Sequence, residues 1–319
     1  MKHLDVCNGD ADGLCALHQW RLAFPVSSQL VTGVKRDIQL LAKIDVVAGD
    51  LVSVFDVSLD SNRVDAQRLL AAGVRLRWFD HHFAGEPIDH PALDASIDTS
   101  PTVCTSLLVD HALGGKYRAW AAVGAFGDNL GEAARSAAAS LNLAPHQVET
   151  LSQLGELLNY NGYGDEVADL HFPPADLYRL MAPYADPLAF VSETSVFDDL
   201  QAGFDSDMAA SASLAPCLAT PSAVAYLLPE AAWARRVIGV MANRLATNAP
   251  NCAHALLAPN GSGTLTVSVR APKSRPTGAD ELCRRFSTGG GRKAAAGINR
   301  LAPADMDFLL REFSEFFSE

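Results

Sequence analysis

Four short clusters carry most of the residues able to do chemistry. They are Asn8-Gly9-Asp10-Ala11-Asp12-Gly13, Asp56 within VSVFDVSLD, Asp80-His81-His82 after VRLRWF, and Gly127-Asp128-Asn129 after WAAVGAF. The first three follow apolar runs that read as strands. In an open α/β sheet the edge formed by the C-terminal ends of the strands is where ligands bind. If those strands are parallel neighbours, Asp10, Asp12, Asp56 and His81 converge. Carboxylates packed together disfavour one another's ionisation, and a pair of divalent cations removes that conflict. A mixed set of carboxylate and imidazole ligands suits manganese and similar ions better than a thiolate-seeking metal. Two such ions about 3.5–4 Å apart can position an attacking water and a phosphoryl oxygen. Asp56 is the candidate to bridge them.

Each cluster taken singly has a plainer reading. D-x-D-G is also ordinary turn chemistry. Asp56 can be a strand-end turn residue, and Asp128 a helix-terminus residue. The Asp-His-His run is harder to explain by packing, because two adjacent histidines after a buried strand fill no core. The weight lies in the combination and its order.

A second cluster is basic. Arg270, Lys273, Arg275, Arg284, Arg285, Arg292 and Lys293 stand against Asp280 and Glu281. Gly289-Gly290-Gly291 allows a backbone to approach an anion closely and turn its N–H groups toward it. Arg292 beside it can grip a phosphate with two hydrogen bonds. A flexible loop is the ordinary reading of the glycines, and a solvated helix face that of Arg284-Arg285.

The elements that must position these residues follow from periodicity. Strands are expected at His3–Cys7, Gln29–Val34, Leu51–Val57 and Val74–Phe79. Helices are expected at Asp12–Phe24, Asp37–Ile44 and Leu59–Ala72. The alternation implies a parallel α/β sheet with helices on both faces. Residues 102–126 and 131–190 read as mostly helical. The polar, Ala/Ser-rich stretch around 196–215 reads as a linker. Beyond it a smaller α+β domain is expected, with a helix at Glu230–Ala246 and strands at Ala253–Leu257 and Thr264–Arg270. A helix at Gly278–Phe286, the glycine loop and a last helix at Pro303–Phe317 complete it. The expected organisation is therefore a metal-binding domain at 1–195, a linker at 196–215 and a substrate-binding domain at 216–319.

Composition narrows the function. The chain has 319 residues and a formal net charge of -12, which weighs against non-specific binding to long nucleic acids. Residues 1–200 hold 13 Lys+Arg against 27 Asp+Glu, whereas residues 201–319 hold 12 against 10. An acidic half suited to cations is thus joined to a half better suited to phosphate. The six cysteines (Cys7, Cys15, Cys104, Cys217, Cys252, Cys283) form no C-x-x-C pair and read as reduced, mostly buried residues. No apolar run is long enough for a membrane helix and no signal pattern opens the chain, so a cytoplasmic protein without a membrane partner is expected. His3 is expected to have no part in the site, and His18 to be a surface or half-buried helix residue.

In order and spacing the acidic clusters resemble the DHH phosphoesterases, whose pattern is D-x-D-G, an Asp ending a later strand, Asp-His-His and a Gly-Asp pair. The resemblance implies two metal ions, usually Mn2+ (with Mg2+ or Co2+ as alternatives), held by Asp10, Asp12, Asp56, His81 and Asp128. It implies that His82 contacts the substrate phosphate or assists the leaving group, and that Asp80 orients the histidine pair. There is one departure. The family carries a His two or four residues before its first Asp, where this chain has Asn8 and Val6. Asn8 offers a carbonyl oxygen, a weaker ligand than imidazole. The basic stretch is similar to the C-terminal domain associated with this family. Ser268-Val269-Arg270 matches its Ser-x-Arg strand. Gly289 to Gly297 matches its G-G-G-H-x-x-A-A-G loop, with Arg292 replacing His.

The resulting expectation is a phosphoesterase with its active site in the cleft between the two domains. Metal-activated water would cleave phosphodiester bonds in small nucleotides: short oligonucleotides, linear or cyclic nucleotides. Asn8, His82, Arg270, Gly289, Gly290, Gly291 and Arg292 would contact substrate, and a homodimer is compatible with the sequence. The rivals are a polyphosphate or pyrophosphate hydrolase and a non-catalytic nucleotide-binding regulator.

Overall fold

Short runs of β-branched and aromatic residues build the first sheet of the computed structural model, which describes residues 1–318. Five strands, β1 (His3–Cys7), β2 (Gln29–Val31), β3 (Leu51–Phe55), β4 (Arg75–Asp80) and β5 (Leu93–Ile97), lie side by side in the order β2-β1-β3-β4-β5. All pairings are parallel. The α/β expectation therefore holds. The strand β5 was not anticipated, because its sequence LDASI is half exposed and lacks an apolar run.

Register explains why the motifs meet. Cys7 pairs with Phe55, and Phe55 with Phe79. Asn8 and Asp56, which leave β1 and β3, and Asp80, which ends β4, are thus side by side along one edge. Alternation sorts the rest of each strand. Leu4, Val6, Val52, Val54, Leu76 and Trp78 point into one core with Leu69 and Leu70. Each fully buried side chain of this kind stabilises the fold by about 1.5–3 kcal/mol. On the opposite face Phe55 and Phe79 stack at 5.9 Å between ring centroids, and Trp20 covers both.

The helices of this part are α1 (Ala11–Ala23), α2 (Arg63–Ala71), α3 (Thr105–Ala112), α4 (Arg118–Gly127), α5 (Gly131–Ala139), α6 (Pro145–Gly162), α7 (Pro174–Met181) and α8 (Pro187–Glu193). The expected helix at Asp37–Ile44 is only a single 3-10 turn at Leu40–Lys43. A close approach locks α1, α4 and α6 together. A Cβ on Gly127 would lie 2.3 Å from the Ala11 Cβ and 2.7 Å from the Gly155 carbonyl oxygen. His18, expected near the surface, is instead fully buried on α1. Its Nε2 lies 2.8 Å from the Tyr184 carbonyl oxygen, and its ring meets Trp120 edge-on at 4.8 Å. A helix hydrogen-bonded internally and packed on two sides leaves no solvent face at that position.

The chain separates into two compact units, Met1–Gln201 and Ala202–Glu319. The stretch expected as a linker holds a sixteen-residue helix, α9 (Val196–Ser211), in which Val196, Leu200 and Phe204 recur at helical spacing and are buried. The second unit has a mixed sheet of β6 (Leu218–Ala219), β7 (Ala223–Leu227), β8 (Ala253–Pro259), β9 (Leu265–Arg270), β10 (Gly289–Gly291) and β11 (Ala295–Leu301). Its order is β10-β11-β9-β8-β7-β6. The helices α10 (Ala232–Asn248), α11 (Ala279–Cys283) and α12 (Met306–Phe316) accompany it. Val267, Val269, Ile298, Leu309 and Phe313 are among its buried core. Among the described residues no helix is long and apolar enough to cross a membrane. All six cysteines are free, and only Cys217 is exposed.

Candidate functional site

The edge where β1, β3 and β4 end gathers the expected acidic and imidazole side chains. Asp10 caps α1, its Oδ1 accepting from the Gly13 amide at 3.1 Å. Asp12, two residues further on, points at the start of α3. Its two oxygens accept from the amides of Thr105 and Ser106, both at 2.7 Å. Unpaired amides and the dipole at a helix N-terminus favour a carboxylate there. Asp56 leaves β3 with φ +57, a left-handed conformation unusual for a residue with a side chain. Its amide donates to the Phe79 carbonyl oxygen at 3.0 Å and its Oδ1 accepts from Thr105 Oγ1 at 3.2 Å. Asp128 follows α4 as its C-cap, and its Oδ2 is buried with no hydrogen-bond partner.

His81 looks into this group. Its Nδ1 is 3.0 Å from the Val103 carbonyl oxygen, so Nδ1 carries a proton and Nε2 is directed at the carboxylates. Nε2 lies 3.4 Å from Asp56 Oδ1, 3.9 Å from Asp128 Oδ2 and 4.0 Å from Asp12 Oδ2. His82 is held separately. Its Nδ1 donates to Asp80 Oδ1 at 2.7 Å, while almost half of its side chain is open to solvent. Asp80, fully buried, thus orients His82 alone, and His81 takes its orientation from Val103. This differs from the expected role of Asp80 toward both histidines. The physical reason is that successive side chains leaving a strand point opposite ways.

The electrostatics describe a group short of positive charge. Burial, and then Asp10 and Asp12, push the Asp56 carboxyl well above its usual range. Burial also raises Asp128, with Lys35 opposing and Asp12 adding to the rise. For His81, burial works against the charged form, but its hydrogen bond to Asp56 and the charges around it win, and its pKa is raised to about 10. His82 is likewise raised to about 8, burial opposing and Asp80 prevailing. Protons are retained where a cation would relieve the repulsion. Asp56, His81 and His82 offer ligand atoms within 4.8 Å of one another. The unpartnered Asp128 Oδ2 and the inward Nε2 of His81 complete a set suited to a hard or borderline divalent ion.

One residue at this edge was missed. Lys35, shortly after β2, forms an ion pair with Asp10 Oδ2 and donates to Asn159 Oδ1 at 2.9 Å. Burial disfavours its ammonium, but Asp10 and further nearby groups more than offset this and its pKa is raised. The strand-end rule that flagged the other motifs also applies to β2 and pointed here. Asn8 donates from Nδ2 to the Lys35 carbonyl oxygen at 3.3 Å, and its Oδ1 is buried without a partner. The amides of Thr105 and Ser106 and the carbonyl of Val103 are backbone groups and leave no trace in residue types.

The remaining expected residues belong to the second unit. Arg270 ends β9, with Nε donating to Asn243 Oδ1 at 2.8 Å and an Nη to Ser268 Oγ at 3.0 Å. It pairs across the ladder with Ala295, beside the turn carrying Arg292. Arg292 is exposed, and its amide donates to the Ala295 carbonyl oxygen at 2.9 Å. The glycines form β10, an edge strand, and not a free loop. Gly289 is required by packing, since a Cβ there would lie 1.7 Å from the Cys283 carbonyl oxygen. Gly290 faces open space.

With this geometry in place, comparison with known proteins identifies the fold. Residues 220–319 match the DHHA1 domain, and the chain as a whole has the fold of DHH-domain proteins. A DHH-domain protein described as a member of the s1p family of ribosomal proteins aligns with 98% of this chain and 86% of its own, at 12% identity and a TM-score of 0.70. The exonuclease RecJ bound to manganese aligns over 100% of this chain and 90% of its own, at 19% identity and a TM-score of 0.64. A pGpG-specific phosphodiesterase from Vibrio cholerae, PggH, aligns over 99% of both chains, at 14% identity and a TM-score of 0.54. No curated protein matches the sequence.

Proposed function

We propose that the chain is a divalent-metal-dependent phosphoesterase that hydrolyses phosphodiester bonds of small nucleotides such as short oligonucleotides and linear or cyclic dinucleotides. The observation that carries this reading is the convergence of Asp12, Asp56, Asp128 and His81 Nε2 beside an Asp80–His82 pair. Asp12, Asp56, His81 and Asp128 hold the metal, with Mn2+ first and Mg2+ or Co2+ as alternatives; RecJ neighbours are described with Mn2+ and with Mg2+. A bound divalent ion supplies Lewis acidity to a phosphoryl oxygen and lowers the pKa of the attacking water.

The protein's own groups do the rest. The amides of Thr105 and Ser106 fix Asp12, and Thr105 Oγ1 fixes Asp56, so the carboxylates need not reorganise when the substrate arrives. Asp80 holds the Nδ1–H of His82, which leaves Nε2 to donate a proton to the leaving oxygen. A pKa raised to about 8 keeps that proton in place at neutral pH. In the second unit, Arg270 and Arg292 beside the β10–β11 hairpin supply cations for the remaining phosphate. The negative net charge favours short substrates over long strands. The full alignment with a pGpG phosphodiesterase agrees with a dinucleotide-sized substrate.

The test is a Mn2+-supplemented panel of short RNA, linear and cyclic dinucleotides, cyclic mononucleotides and polyphosphate, read by product analysis. Nucleoside monophosphates from the dinucleotides are expected. Orthophosphate released from polyphosphate alone would instead indicate a phosphoanhydride hydrolase. Tight nucleotide binding without turnover would indicate a regulator.

A further inference from the structure

Lys35 is held by α6 and by the turn between β1 and α1, at the corner where the sequence departs from the family it resembles. Its amide donates to the Gly162 carbonyl oxygen at 2.8 Å, at the end of α6. Its carbonyl accepts from Asn8 Nδ2 at 3.3 Å. Its ammonium pairs with Asp10, donates to Asn159 Oδ1 at 2.9 Å and stands 5.5 Å from the ring centre of Tyr163. Asn8 occupies a position where an imidazole ligand is expected. Here it uses its amide to hold the backbone of the residue that delivers an ammonium to Asp10. A metal ligand is absent and a fixed cation present at the same corner.

We infer that Lys35 is a built-in cation of this centre, that it takes one of the two places expected for a metal ion, and that the protein binds a single divalent ion on Asp12, Asp56, His81 and Asp128. This rests on the metal-binding reading proposed above. Asp10 already carries a cation, its Oδ1 accepting from the Gly13 amide and its Oδ2 pairing with the ammonium, whereas the oxygens of Asp12 accept from the neutral amides of Thr105 and Ser106 and keep lone pairs for an ion. A second divalent ion would have to displace Lys35 or sit against its charge, and a displaced ammonium would leave Asn159 Oδ1 without its donor. Like charges in such a confined place repel strongly. On the other side, His81 Nε2 lies within 4.0 Å of carboxylate oxygens of Asp12, Asp56 and Asp128.

The experiment counts metal. Full-length protein, stripped of metal and equilibrated with Mn2+, is analysed by mass spectrometry for metal content and by electron paramagnetic resonance. One Mn2+ per chain with an isolated-ion spectrum is expected. The Asn8→His/Lys35→Gln double variant, checked for folding by circular dichroism, is expected to take up two ions and show a spin-coupled pair. Two ions in the unaltered protein would overturn the inference and leave the metal reading standing. No ion in the unaltered protein would overturn both. A folded double variant that still takes one ion would overturn the role of Lys35. Because the count on the unaltered protein is decisive by itself, a variant that fails to fold does not shelter the inference.

Discussion

His81 and His82 are neighbours in the chain but answer to different partners, and their contributions separate accordingly. His81 faces the carboxylates, while His82 faces solvent with Asp80 behind it. Replacing Asp80 with Asn should therefore lower kcat by about 10–100-fold, the usual effect of removing an orienting carboxylate, with metal content unchanged. Steady-state kinetics beside metal analysis on the same sample checks this; loss of metal in Asp80→Asn would assign Asp80 to the metal set instead. The raised pKa of His81, about 10, and the raised Asp56 carboxyl give a second expectation. His81 carries a proton in the metal-free protein at neutral pH that an arriving cation must displace. Mn2+ affinity should thus rise with pH up to about 10, the value to which His81 is raised, and calorimetry in buffers of different ionisation enthalpy should detect proton release. At this scale the sequence was informative wherever a side chain does the work: Asp12, Asp56, His81 and Asp128 converge as expected. It was silent where backbone groups do the work, as with the Thr105 and Ser106 amides on Asp12. Lys35 was missed, because a single lysine after a short strand has no distinctive spacing.

The elements act by register and close approach. Cys7, Phe55 and Phe79 are level across three strands, so a shift of one residue in β3 would turn Asp56 away from the edge. The apolar runs of β1, β3 and β4 made those strands legible. The half-exposed β5 and the glycines of β10 have no such signal, and the polar α9 reads as a linker because its composition resembles one. Gly127 couples packing to the site, since it precedes Asp128 and touches α1 and α6. Gly127→Ala should destabilise the protein by about 1–3 kcal/mol through overpacking, read as a lower denaturant midpoint at unchanged slope. His18 gives a pH-dependent term. Burial lowers its pKa to about 4 from 6.5, so the folded state keeps it neutral while the unfolded chain binds a proton. Its contribution, about 3 kcal/mol, is present above pH 6.5 and is lost as pH falls toward 4. A His18→Gln variant should show a flatter stability profile in that range; an identical profile would contradict the buried neutral assignment.

At the scale of the molecule, an acidic unit carrying carboxylates and imidazoles is joined in one chain to a DHHA1 unit carrying Arg270 and Arg292. That division matches the uneven charge of the two halves, and the proposed function places metal binding in the first unit and phosphate contacts in the second. Arg292→Ala should accordingly raise KM for a dinucleotide with metal content unchanged. The central claim is a metal-dependent phosphoesterase organised around Asp56. It is tested most directly by incubating the unaltered protein and Asp56→Asn with pGpG and Mn2+ and following GMP by chromatography. The account predicts GMP from the unaltered protein, none when the metal is chelated, and at least a hundredfold less from a folded Asp56→Asn. Equal turnover by both proteins, or turnover that survives complete removal of metal, would contradict it.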